Sequence, residues 1–172
     1  MPLIKDGKIA TDSWRALGDD EPAPEDGAIV VSLERLQRDG NALLARSAPL
    51  GVRLKAGQHP QAIANHLARL ALVALEFPKF TDGRAYSYAR LLRERYGYRG
   101  ELRATGQVLR DQLLFMHRCG FDAYEIADRN AVEAFRRALD EISVWYQPTA
   151  DGRPTISALR RRGPTPAALA AE

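Results

Sequence analysis

The sequence predicts a mainly parallel α/β domain, and three observations predict it. Short apolar runs alternate with segments of helical spacing about five times along the chain. Gly, Pro and Asp clusters separate the runs from the helices. The 172 residues suffice for one hydrophobic core.

The elements follow in chain order. Residues 3–9 (LIKDGKI) read as a hairpin, because Asp6-Gly7 supplies the positive φ angles of a type I′ turn between alternating apolar residues. Residues 18–27 (GDDEPAPEDG) are acidic and Pro-rich and read as a solvated loop. Residues 28–33 (AIVVSL) form a continuous apolar run, as a strand buried on both faces requires. Leu36, Leu43 and Leu44 mark a following helix, with Asp39-Gly40 as a potential break. Residues 51–55 (GVRLK) read as a second strand, and Pro60 stands where a helix favours its first residue, ahead of Ile63, Leu67 and Leu70.

Residues 71–76 (ALVALE) are a third strand. The loop FPKFTDGR leads to a helix carrying Tyr88, Leu91, Leu92 and Arg95 that stops near Gly97. Residues 100–105 (GELRAT) are a fourth strand. A helix over 108–119 presents Val108, Leu109, Leu113, Phe115, Met116 and Cys119, and Gly120 closes it. Residues 122–126 (DAYEI) are a fifth strand. Asp128 or Asn130 then caps a helix with Ala131, Phe135, Ala138 and Ile142 on one face, and 144–146 (VWY) offers a last strand. This gives a single α/β domain over 1–147, with hairpin and acidic loop in 1–27, and a flexible Pro/Arg/Ala-rich tail over 148–172. An open doubly wound sheet and a partial barrel both satisfy the pattern, and both put ligands at the carboxyl ends of the strands.

Composition narrows the function classes. No apolar run reaches the roughly 20 residues of a membrane helix. The opening MPLIKDGKIATDSW lacks a secretory h-region, and the one cysteine, Cys119, cannot form an internal disulfide. A cytoplasmic setting is expected. The chain has 25 basic residues against 22 acidic. From Pro148 onward there are four arginines against two acids, so the body holds 21 against 20. A nearly neutral body argues against a nucleic-acid surface.

No cofactor signature is evident. Gly97, Gly100 and Gly106 do not make GxGxxG, and no Walker lysine motif occurs. His59, His66 and His117 are far apart and form neither HxxxH nor HExxH, so no metal site is expected. Cys119 lies on an apolar helix face and reads as a small hydrophobe.

The better constellation is anionic recognition. The loop after strand three offers Lys79, Gly83 and Arg84; the loop after strand four offers Thr105, Gly106 and Gln107. Both feed helix N-termini, whose free N–H groups favour anions. Arg84 could hold a carboxylate, sulfate or phosphate through its fork, with Gly83 and Gly106 allowing close backbone approach. Against this stands the favoured reading that Arg84 pairs with Asp82 or Asp111; Arg103, a charged residue within a strand, is expected to pair with Glu101 or Asp111. Glu76, Asp82, Glu125 and Asp128 also fall near strand ends, where acids serve acid–base chemistry, magnesium or helix caps.

The stretch from Glu76 to Tyr124 is the most distinctive. Its elements are Phe77-Pro78-Lys79-Phe80, Asp82-Gly83-Arg84-Ala85-Tyr86-Ser87, Ala89-Arg90 with Leu92-Arg93, Gly100-Glu101-Leu102-Arg103-Ala104, Gly106, Asp111-Gln112 and Arg118-Cys119-Gly120-Phe121-Asp122. With these it resembles the bacterial family called domain of unknown function 934, over about residues 28–142. The family's label is oxidoreductase involved in sulfite reduction. The resemblance implies a pathway, sulfur assimilation, and a partner, sulfite reductase. It brings no catalytic residue set. A four-iron cluster needs about four thiolates, so a chain with one cysteine is not the metal-bearing reductase subunit by itself. Three expectations follow: an accessory protein of assimilatory sulfite reduction, an enzyme or binding protein for a small anionic or phosphorylated ligand, or a structural homo-oligomer such as a dimer that covers its sheet edges.

Overall fold

The computed structural model describes residues 3–126, 128, 130–141 and 144–161, apart from the side chains of Ala134, Ala138 and Glu141. The expected helix-face positions Ala138 and Ile142, and the tail beyond Arg161, lie outside what is described.

One eight-stranded sheet organises the molecule, in the order β2-β1-β8-β7-β6-β5-β4-β3. Strands β3 (Arg15–Ala16), β4 (Ile29–Ser32), β5 (Leu50–Leu54), β6 (Leu70–Phe77), β7 (Glu101–Gly106) and β8 (Ala123–Glu125) run parallel. The hairpin β1 (Leu3–Lys5) and β2 (Lys8–Ala10) adds two antiparallel strands beside β8. Asp6 and Gly7 form its turn at φ 49° and 71°, the geometry the Asp-Gly pair favours.

The parallel strands occur in sequence order, so the sheet has no reversal point. Right-handed crossovers of that kind keep their helices on one face. That face holds the core: Val31, Val52, Leu54, Val73, Leu75, Phe77, Leu102, Ala104 and Tyr124 meet side chains from every covering helix. The helices are α1 (Leu33–Leu44), a 3₁₀ helix (Pro60–Arg69), α2 (Arg84–Arg90), α3 (Leu113–Cys119) and α4 (Ala131–Glu141).

The sheet curls into a half-barrel, the partial-barrel alternative of the two expected. Chain reach requires curling. β2 and β3 lie on opposite edges, about 33 Å apart if the sheet were flat. Only residues 11–14 join them, and the five steps from Ala10 to Arg15 span at most about 18 Å. The connection therefore crosses the concave mouth. Trp14 packs there on Val30, Leu72 and Ala74, while Asp12 reaches Arg103. Gly51 on β5 makes room: a Cβ would lie 3.1 Å from Leu72 and 3.2 Å from the Trp14 ring.

Several local expectations change. Helix α1 continues through Asp39-Gly40, because Ser32 caps it and buried Leu36 and Leu43 outweigh the roughly 1 kcal/mol that an interior glycine costs. The segment after Pro60 is 3₁₀ rather than α. The helix expected from Val108 starts as a 3₁₀ turn (Arg110–Gln112) and becomes α only at Leu113. Helix α2 widens into a π turn over Leu91–Arg95 before Gly97. Residues 144–146 form no strand; Trp145 makes one bridge to Thr155. Instead Trp145 is stacked under Arg118 at 3.8 Å. Arg118 also donates to the Gln147 carbonyl and Thr149 Oγ1, and it pairs with Asp151. The first part of the expected tail thus lies against α3 and leads to a short helix, α5 (Ile156–Arg161).

Candidate functional site

The loops after β6 and β7 lie side by side at the carboxyl rim. Gly106 sets their spacing. Its φ is +88°, and a Cβ there would fall 2.4 Å from the Phe77 carbonyl oxygen. The bare backbone lets the Gln107 N–H donate to that oxygen at 2.8 Å. The Gln107 side chain then accepts from the Phe80 N–H at 3.2 Å, and Gln112 Nε2 donates to the Phe80 carbonyl at 3.1 Å. Phe80 is held through both backbone polar groups while the residue stays 55% exposed.

The remaining predicted residues divide in two. Lys79, Gly83, Arg84, Gly106 and Gln107 are exposed on this rim. Thr105 is buried, with its hydroxyl 3.5 Å from the Leu75 carbonyl on the neighbouring strand. Arg84 turns its fork onto Asp82: Nε and Nη2 donate to the carboxylate at 3.0 and 2.6 Å, and the Arg84 N–H adds a third bond at 3.2 Å. Those hydrogen bonds hold the Asp82 carboxyl at about 2, below its ordinary 3.8. Lys79 makes no ion pair among the described residues. Asp111 is exposed in the turn before α3.

Arg103 is elsewhere, on the concave face. It is 2% exposed and pairs with Glu101 at 2.7 Å, Asp12 at 2.9 Å and Glu125 at 3.2 Å. Lys5 shares Glu101 at 2.7 Å. Asp128 accepts from the Asn130 N–H at the start of α4. Asp82, Glu125 and Asp128 thus have separate partners in Arg84, Arg103 and the Asn130 N–H, and among the described residues no three His, Cys, Asp or Glu side chains cluster as metal ligands. His59 caps the 3₁₀ helix by accepting from the Gln61 N–H. His117 packs edge-on against Phe135 at 5.5 Å. Burial pushes the Cys119 thiol up, away from the thiolate that redox chemistry needs.

An aromatic surface completes the rim. Phe77 meets Tyr86 at 5.1 Å, and Tyr86 meets Phe115 at 4.7 Å. Burial pushes the Tyr86 phenol up to about 12, so it stays protonated. Phe115 is 56% exposed and Leu109 41%. The sequence model of the family described as bacterial protein of unknown function (DUF934) matches residues 51–156. That is more than half the chain and includes both rim loops. This chain belongs to DUF934. No curated protein matches it. The DUF934 match begins at β5, so it leaves out the hairpin, the Asp12–Trp14 crossing, β4 and α1, and it extends through Trp145 and Thr155.

Sequence reasoning missed the crossing segment and the Arg118–Trp145 stack. Gly51 was the available signal for the first, since a glycine inside a strand marks close approach. Neither partner of the second stands in a recognisable pattern.

Proposed function

We propose that this protein is an accessory protein of assimilatory sulfite reduction that docks, through the β6–β7 rim, on the sulfite reductase carrying the metal cofactors. The observation behind the reading is Phe80: an aromatic side chain displayed to solvent on a backbone fixed from both sides by Gln107 and Gln112. Phe115 and Leu109 extend the apolar area, and Lys79 and Arg110 flank it with positive charge. Rigid exposed aromatics are the composition of a protein interface centre, and charged residues belong to its rim. The pathway comes from the family resemblance.

Co-purification from a native host tests this. The reductase should elute with the wild-type chain and be lost with a Phe80→Ala, Phe115→Ala double variant that melts normally. No association, together with normal growth of a deletion strain on sulfite, discards the reading.

A second reading, binding of a small anionic or phosphorylated ligand at the same rim, draws on the adjacency of the two loops and on Lys79, which makes no ion pair among the described residues. Such a ligand has to displace the Asp82 carboxylate from Arg84. Arg84→Ala should then abolish ligand binding without lowering the melting temperature.

A further inference from the structure

We propose that a cavity of about 230 Å³ at the carboxyl ends of β4 and β5, apart from the β6–β7 rim, binds a small oxyanion carried on a short aliphatic body, with Arg53 as its counterion. A branched-chain carboxylate is the simplest member of that class.

The cavity has two chemically distinct ends. Val30, whose side chain shares the concave face with Arg53, and Leu17 supply an aliphatic wall, and Arg53 with Lys55 supplies the charge. Arg53 is partly buried on the concave face, and its Nε is shielded from solvent without a hydrogen-bond partner. Its register neighbours are Ser32 on β4 and Ala74 on β6, neither of them charged. Among the described residues no carboxylate pairs with it. Arg103, two strands away on the same face, has three carboxylates. A partly buried guanidinium with an unused fork is costly to leave bare and suits a planar oxyanion. The one acid of the lining, Asp19, is engaged with the Ser32 hydroxyl at 2.5 Å. Lys55 is shared with Glu34 at 3.2 Å, so among the described residues Arg53 is the cation of the site without a carboxylate partner.

Methyl NMR of the full chain tests the proposal, with isovalerate as probe, isoamyl alcohol as its neutral counterpart and inorganic phosphate as the bare oxyanion. Isovalerate should shift the Leu17 and Val30 methyls saturably, and isoamyl alcohol should bind at least about tenfold more weakly. Arg53→Gln should weaken isovalerate by at least about tenfold, and Arg53→Lys, which keeps charge but loses the fork, by less. Absence of saturable shifts, equal binding of acid and alcohol, or unchanged affinity in Arg53→Gln overturns the site. Phosphate binding as tightly as isovalerate overturns the ligand class. If Arg53→Gln does not fold, the comparison of acid with alcohol on the wild type decides. Reductase docking is untouched by all of these outcomes, so the two proposals fail separately.

Discussion

Asp12 and Arg103 stand 91 positions apart in the sequence and are joined by two hydrogen bonds, of 2.9 and 3.1 Å. The pair ties the segment crossing the mouth of the half-barrel to the middle of the sheet. Burial works against the Asp12 charge, yet its hydrogen bonds from Arg103 hold the carboxyl below its ordinary value.

Removing Arg103 leaves Glu101 buried with only Lys5. Arg103→Ala should cost about 3–5 kcal/mol, as for breaking a buried ion pair. Asp12→Ala should cost less, about 1 kcal/mol, because Glu101 and Glu125 remain and Asp12 is partly exposed. Urea denaturation of both variants measures the order, and a larger loss for Asp12→Ala would contradict the network.

Trp14 fills the concave face over Gly51. Gly51→Val should destabilise by about 1–3 kcal/mol through overpacking against Leu72 and the indole. It should also shift the tryptophan emission, since Trp14 must move. A variant with wild-type emission and stability would mean the ring does not need that gap.

Gly106 spaces the rim. Gly106→Ala meets both a positive φ and the Phe77 carbonyl, and should cost about 2–3 kcal/mol. Hydrogen exchange at the Gln107 and Phe80 amides should quicken in this variant more than at Val73. Uniform quickening would point to global unfolding alone.

Burial pushes the His117 imidazole below its ordinary 6.5. The unfolded chain therefore takes up a proton that the folded chain resists. The corresponding stability is complete above pH 6.5 and is lost as pH falls from there towards the folded value. Melting temperatures between pH 7 and 5 should drop less steeply in His117→Phe. Parallel slopes would show that other groups set the acid response.

Arg118 holds residues 145–151 through one stacking contact, two hydrogen bonds and an ion pair. Arg118→Ala should open this stretch to limited proteolysis while leaving cleavage of the sheet unchanged. An unaltered digestion pattern would show that the other contacts suffice.

The sequence made the helix-covered face legible because its signals are local. Apolar runs such as 71–76 and the helical spacing of Leu36 and Leu43 follow from residues a few positions apart. The Asp6-Gly7 turn was legible for the same reason. The candidate rim was legible as two loops, since parallel strands in sequence order bring successive strand ends together. What stayed hidden was side-chain commitment. Nothing local tells whether the Arg84 fork turns to Asp82 or to a ligand, or that Gln107 and Gln112 both hold Phe80.

By itself the sequence determined the alternation of strand and helix, the opening hairpin and the family, because these rest on periodicity, turn chemistry and motif spacing. Tertiary structure decided the curl of the sheet, the crossing of the mouth by Asp12 and Trp14, and the contrast between a compensated Arg103 and a bare Arg53. Those depend on which distant strands become neighbours. A four-residue connection between two sheet edges imposes that closure only once every strand has its place.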